Sequence, residues 1–126
     1  MKNIKLFIMV AFLAAATTMM LTSCSKEKQI ESKWKITHAS GDFSDDKGET
    51  WTFKSNSSGS FIFYGYDVDG DWSISGDELT IDAKINGYKL VGEFTIDKLS
   101  SSKMSLSGSW KVDGEKMNVT YEFEKK

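Results

Sequence analysis

The stretch from Asp67 to Glu78, which reads DVDGDWSISGDE, has the acidic spacing of a calcium-binding loop. Counted as a twelve-residue EF-hand loop, it carries acids at positions 1, 3, 5 and 12. Such a loop must curl so that six to eight oxygens surround the ion. The loop position that should be glycine is Trp72. The chemistry of these acids therefore depends on whether the chain forms a loop or a strand here.

The elements that position these acids are read from the hydrophobic period. From Lys33 onward apolar residues alternate with polar ones, a period of two that predicts β-strands. Eight such segments are separated by turn signals such as Asn86-Gly87. A two-residue loop there pairs Ile85 with Tyr88 and places both on the same face. No stretch of ten residues carries a helical pattern, so the prediction is an all-β domain.

Three tryptophans recur at equal spacing in the chain. Trp34, Trp72 and Trp110 each lie 38 residues apart, and the last two share their apolar phase and a turn glycine followed by an acid. The pattern indicates a unit of three strands. In this alignment Gly70 matches Gly108, which lies inside one continuous alternation.

The repeat decides how the acidic stretch is interpreted. Because Gly108 lies within a strand pattern, its counterpart Gly70 is expected within a strand as well. Asp67, Asp69 and Asp71 then follow each other about 6.6 Å apart on the outer face of the sheet. A straight row of this kind cannot surround an ion, so we predict a solvated strand face and no metal site.

The first 23 residues are predicted to be a lipoprotein signal peptide. Two lysines precede the apolar run LFIMVAFLAAA, which is short for a membrane span. The run ends in LTSC, which resembles the bacterial lipobox, where the peptide is cut before the cysteine and the thiol is acylated. Cys24 is the only cysteine, so an internal disulfide is excluded. Residues 24–31 are then the lipidated cysteine with a polar tether, and residues 32–126 form the domain.

Charge and lipidation define the expected partners. Removing residues 1–23 takes away two of the 16 lysines, which leaves 14 against 18 acids and a formal charge of −4, with no arginine. Nucleic acid recognition needs clustered positive charge, so nucleic acid is not an expected partner. Acyl chains on Cys24, palmitate among them, would anchor the protein to the lipid bilayer. The expected location is the bacterial cell envelope, at the outer membrane, with its periplasmic or surface face left open.

Eight antiparallel strands with one apolar face are expected to close into an up-and-down barrel, because closure removes both sheet edges. With SKWKI, TFKSNSSGSF, GDWSISGDELTI and TYEFEKK in this order behind the lipobox, the chain resembles the small lipocalin-like lipoproteins of Bacteroidetes-type bacteria. The resemblance covers most of residues 32–126 and implies a single eight-stranded lipocalin-like barrel. The first strand has Ser32 where the lipocalin Gly-x-Trp has glycine, and the lipocalin arginine is missing. The fold therefore carries over better than ligand binding.

Two functions remain open at this point. An eight-stranded barrel is just wide enough either to be filled by side chains or to hold one small ligand. The protein is expected to bind a small apolar or amphipathic molecule at the open end of the barrel. Alternatively, a packed barrel binds a protein or glycan through its aromatic rim, as an accessory or inhibitor module. A monomer is expected in either case.

The candidate binding residues lie at the end of the barrel that is remote from the tether. The loops expected there are 39–49, 64–66, 86–87 and 113–114. Aromatic residues with polar tips are typical of binding surfaces. The ligand-binding candidates are His38, Phe43, Trp51, Tyr64, Tyr66 and Tyr88, with the acids Asp42, Asp45 and Asp46 beside them.

No catalytic residue or cofactor is predicted. His38 is the only histidine, and no nucleophile motif such as Gly-x-Ser-x-Gly is present. A catalytic metal would need several histidines, or histidine with glutamate at ligand spacing. The acids fall in loops or on the outer face, where nothing separates their pKa values for sugar hydrolysis. We therefore expect a binding protein and not an enzyme.

Overall fold

Residues 26–126 are the part of the chain that the structure, a computed structural model, describes. The predicted signal peptide and Cys24 lie outside these residues. A short helical segment covers residues 26–30, and a 3₁₀ helix, here called the cap, covers Gly41–Asp46. Within residues 26–126, none of the helical segments is both long and apolar enough to cross a membrane. The strands are β1 (Lys33–Ala39), β2 (Thr50–Phe53), β3 (Ser58–Phe63), β4 (Tyr66–Ser75), β5 (Glu78–Ile85), β6 (Tyr88–Leu99), β7 (Lys103–Val112) and β8 (Glu115–Lys125).

The eight strands form the predicted closed up-and-down barrel. Each strand pairs antiparallel with the next in sequence, and β1 pairs with β8 to close the sheet. The predicted register across the β5–β6 turn is confirmed, because Ile85 lies opposite Tyr88. The predicted phase of β4 is also confirmed, since Asp67, Asp69 and Asp71 are exposed on the outer face.

Three tight turns lie at one end of the barrel. Tyr64-Gly65, Asn86-Gly87 and Asp113-Gly114 each have positive φ angles at both positions. This geometry matches the right-handed twist of the flanking strands. Asparagine and aspartate tolerate the left-handed conformation, but Tyr64, at φ +49°, pays a steric cost of about 1–2 kcal/mol.

A cluster of aromatic rings occupies the middle of the barrel. Trp51, on the four-residue strand β2, is fully buried. Aromatic side chains carry large buried areas and prefer tilted or edge-to-face contacts of this kind. The Trp51 ring has centroid distances of 5.0–6.2 Å to the rings of Phe53, Phe61, Phe94, Trp110, Tyr121 and Phe123.

Apolar side chains also close the two ends of the barrel. Phe43, in the cap, is 2% exposed at the end that carries the three turns. Ile30 is fully buried at the opposite end, where its carbonyl accepts a hydrogen bond from Trp34 Nε1 at 2.9 Å. Residues 24–31 are expected to be a polar tether, but 26–30 are helical and pack on the barrel. The reason is that Ile30 is the one apolar residue of that segment and buries its side chain.

A matched pair of substitutions tests how the core is held. Trp110 Nε1 donates to Tyr121 Oη at 2.9 Å, whereas Nε1 of Trp51 has no partner among the described residues. We expect Trp110→Phe to lower the free energy of unfolding by about 1–2 kcal/mol more than Trp51→Phe, because only the first change breaks a buried hydrogen bond. Guanidinium unfolding of both variants measures the difference. Equal costs would contradict a stabilising role for the Trp110–Tyr121 bond.

Candidate functional site

Three tyrosines are the exposed large hydrophobic residues of the described chain. The exposed fractions are 40% for Tyr64, 61% for Tyr66 and 55% for Tyr88. All three lie at the end with the tight turns, opposite the end where Lys26 contacts Asp77. They are called the tyrosine rim below.

The strand ends explain why these side chains are exposed. Tyr66 is the first residue of β4 and Tyr88 the first of β6. Both continue the inward phase of their strands, since Val68 and Leu90, two residues on, are buried. The two tyrosines stand beyond the packed interior, so their rings reach solvent and not the core.

The cap supports Tyr64 from below. The rings of Phe43 and Tyr64 stack at a centroid distance of 4.4 Å and an interplanar angle of 15°. The Tyr64 hydroxyl also contacts Met117 Sδ at 3.7 Å. These contacts hold one face of Tyr64 and leave the other to solvent, and they offset the backbone strain of its left-handed conformation.

Asp46, at the end of the cap, is buried beside the turn that carries Tyr64. Its Oδ1 accepts a hydrogen bond from Gly65 N at 2.8 Å, while Oδ2 has no partner among the described residues. Burial raises the pKa of this carboxyl, because a charged carboxylate loses its water there. Hydrogen bonds from the backbone of Gly65 and Tyr64 act in the opposite direction, and Glu49 and Asp45 raise the pKa further.

The phenol groups around the cap are neutral. Burial is the first cause that raises the pKa of Tyr64, and the negative charges of Asp42 and Asp46 add to it. Burial also raises the pKa of Tyr121, although the hydrogen bond from Trp110 opposes the shift. The rim is thus able to present an uncharged Tyr64 hydroxyl beside acidic groups.

The six predicted binding residues separate into three groups. Tyr64, Tyr66 and Tyr88 come together as the rim. Phe43 and Trp51 are buried in the cap and the core, where they support the surface without being part of it. His38 is exposed on the barrel wall, because a β-bulge after Ile36 shifts the phase of β1 and turns Ala39 inward instead.

The burial of Asp46 was not predictable from the sequence. It stands in the run DDKGE, which reads as a solvated acidic loop, and only the position of the cap over the barrel end buries it. The burial of Ile30 had one signal in the sequence, because Ile30 is the one apolar residue between Lys26 and Glu31. Within residues 26–126, no group of three or more histidine, cysteine or acidic side chains is arranged to hold a metal ion.

The exposed residues of the rim are of a type that is enriched at recognition surfaces. Tyrosine rings offer apolar area with a hydrogen-bonding tip and lose little conformational entropy on binding. Comparison of the chain with protein-family models finds no match, and comparison with curated proteins finds none either. The function is therefore inferred from the fold and from this surface.

Substitution of Asp46 gives a pH-dependent prediction. Its folded pKa lies above the unfolded value of about 3.8, so its contribution to stability is complete below that value and is lost as the pH rises through the folded pKa. We expect the unfolding free energy of the wild type, minus that of Asp46→Asn, to fall as the pH rises from about 3.8 through the folded pKa of Asp46. Denaturant unfolding at several pH values measures this difference.

Asp42→Asn is the control for this experiment, because Asp42 is an exposed acid in the same cap. It should not reproduce the slope. A flat difference between the wild type and Asp46→Asn would show that the carboxyl is hydrated in solution.

Proposed function

We propose that this protein is a lipid-anchored β-barrel of the bacterial cell envelope that binds a partner macromolecule through the tyrosine rim. The observation that carries the proposal is the grouping of all three exposed tyrosines at one end of the barrel. Clustered tyrosines are typical of the residues that contribute most binding energy at interfaces. A binding role, without catalysis, fits this surface best.

The packing of the interior favours the rim over an internal ligand. The closed barrel with its buried aromatic cluster is compatible with a lipocalin-like binding fold. However, the ring of Trp51 stands at the centre of the space that a ligand would use, and Phe43 and Ile30 close the ends. A small ligand at the centre of the barrel would have to displace these buried rings. Of the two functions that the sequence leaves open, the packed barrel with a binding rim is therefore the better supported.

The position of Lys26, the first residue that the structure describes, agrees with a membrane anchor at Cys24. Lys26 contacts Asp77 and the carbonyl of Gly76 in the β4–β5 turn, at the end remote from the rim. Cys24 precedes Lys26 by two residues in the sequence, and two residues of chain span at most about 7 Å, so an anchor at Cys24 would act close to this end. Acylation of Cys24 would place this end on the bilayer and direct the rim away from it. The resemblance of the sequence to small lipocalin-like lipoproteins supports the same proposal.

The anchor is tested by Cys24→Ser. The substitution removes the acylated thiol, so the full chain should move from the membrane fraction to the soluble fraction of fractionated cells. An immunoblot of the two fractions measures the change. Retention of the variant in membranes would show that Cys24 is not the anchor.

The rim is tested by site-specific photo-cross-linking in cells. A photoreactive phenylalanine analogue at Tyr66 or Tyr88 should give a discrete adduct with a partner. The same analogue at the exposed positions Asn56 and Ser101, at the opposite end, should give none. Adducts from all four positions, or from none, would contradict a partner at the rim.

Native mass spectrometry of the full chain, purified from its own envelope, separates the two functions. A bound mass of a few hundred daltons would favour the small-ligand carrier, whereas rim adducts without a bound small molecule favour the proposed function.

A further inference from the structure

Strand β4 leaves part of its edge without a partner. The strand begins at Tyr66, but its pairing with β5 begins only at Gly70, which lies opposite Ala83. The two backbones meet closely at this point, since a Cβ on Gly70 would collide with the carbonyl oxygen of Asp82. Residues 66–69 therefore have β3 on one side and, among the described residues, no paired strand on the other.

The direction of the backbone shows which groups face this opening. Trp72 N donates to Ser57 O at 2.8 Å, so Trp72 and every second residue before it direct their backbone groups to β3. Val68 belongs to this set. Asp67 belongs to the alternate set, and its N–H and C=O point to the side where β5 is not paired. Among the described residues no strand pairs with Asp67 on this side, so Asp67 offers the donor and acceptor of a sheet edge.

Strands β2 and β3 also stop pairing before β3 ends, but there the cap covers the unpaired part of β3. The β2–β3 pairing ends at Thr52 and Ser60. Ile62 and Phe63, which follow on β3, are nevertheless buried, and the Phe63 ring lies 5.9 Å from that of Phe43 in the cap. Within residues 26–126 no such cover lies over β4, where residues 67 and 69 are exposed.

The opening is continuous with an acidic groove of about 400 Å³ on the outer wall. Asp71 lies directly opposite Asp82, and like charges in this relation destabilise a sheet. Neither carboxylate, nor that of Asp69, forms an ion pair within residues 26–126; Asp69 accepts a hydrogen bond from Ser60 Oγ at 2.8 Å. The charged residues that line the groove are Asp69, Asp71, Asp82, Lys84 and Lys89.

The whole rim end of the barrel shares this negative character. Counted within four residues of its three turns, and over the connection 40–49, it carries nine acids and five lysines. The acids are Asp42, Asp45, Asp46, Glu49, Asp67, Asp69, Asp82, Asp113 and Glu115, and the lysines are Lys47, Lys84, Lys89, Lys111 and Lys116. A positively charged partner is attracted to such a surface, and an anionic glycan is repelled.

We propose that the free edge of β4, with the acidic groove beside it, receives an extended, lysine- or arginine-rich segment of a protein partner, which adds to β4 as a short strand. Only a polypeptide supplies the alternating N–H and C=O groups that Asp67 can pair with. Basic side chains of the added strand would reduce the repulsion between the opposed carboxylates of Asp71 and Asp82. The inference rests on the proposed function, because Tyr66 of the rim begins the edge and would contact the same partner.

Three peptides of equal length test the proposal on the full chain in a zwitterionic detergent. KTKTKTKT can pair as a strand and carries positive charge. KPKPKPKP has the same charge, but its prolines cannot complete a ladder. ETETETET can pair but has the opposite charge. Amide hydrogen exchange followed by NMR at Asp67 reports strand addition, and Val68, already paired with β3, is the internal reference.

At saturation, KTKTKTKT should slow exchange at Asp67 by at least about tenfold and leave Val68 unchanged. The effect should weaken as the ionic strength rises from about 0.05 M to about 0.5 M, because the attraction is screened. The other two peptides should leave Asp67 exchange unchanged. No slowing by KTKTKTKT, or equal slowing by KPKPKPKP, would overturn the proposal.

A pair of double variants checks the location. Asp71→Lys with Asp82→Lys should abolish the slowing. Glu27→Lys with Glu122→Lys makes the same change in net charge at exposed positions away from the groove, and should retain it. Equal loss in both variants would mean that net charge, and not the groove, attracts the peptide.

The cross-linking experiment separates this inference from the proposed function. Adducts at Tyr66 and Tyr88 together with no effect of KTKTKTKT would leave the rim as the binding surface and remove strand addition. An absence of adducts would remove the proposed function itself.

Discussion

The interior of a closed eight-stranded barrel must be filled either by side chains or by a small ligand, and here the Trp51 ring fills its centre. It is carried by β2, the shortest strand, and touches rings contributed by strands β2, β3, β6, β7 and β8. Aromatic rings suit this role because a few of them occupy a large volume in well-defined orientations. A short chain can therefore form a stable closed barrel, but the interior is then committed to packing. On the proposed function, the binding partner meets the outside of the barrel.

The three tryptophans of the 38-residue repeat show how a sequence repeat becomes unequal in three dimensions. Trp34, Trp72 and Trp110 lie on β1, β4 and β7, three strands apart, and all are buried. Their indole N–H groups nevertheless have unrelated partners. The partner is the Ile30 carbonyl for the first, the Lys54 and Ser58 carbonyls for the second, and the Tyr121 hydroxyl for the third. Eight strands do not divide into groups of three, so equivalent positions in the repeat meet different surroundings.

The hydrophobic period predicted the strands, their faces and the register at the turns. The reason is that a sheet with one buried face has apolar and polar residues in alternation along each strand. The same signal contains no information on height along the barrel axis. It could not distinguish Tyr66, which stands above the core, from Val68, which lies within it. It also could not show that the β4–β5 pairing ends before the strand does, since pairing length depends on twist and packing. The outward position of His38 depends on a β-bulge in β1. The bulge shifts the alternation by one residue, and the residue types of the strand do not indicate it.

The burial of Ile30 has a consequence for the dimensions of the protein at a membrane. Because residues 26–30 pack on the barrel, the free linker between the barrel and an acylated Cys24 would be only a few residues long, and not the whole polar segment. If Cys24 is acylated, as proposed, so short a connection would hold the barrel close to the lipid surface, with the rim about one barrel length above it. Molecules that diffuse in the same membrane and project to that height would then meet the rim far more often than those in free solution. Reach, as much as chemistry, would then decide which partners are available to it.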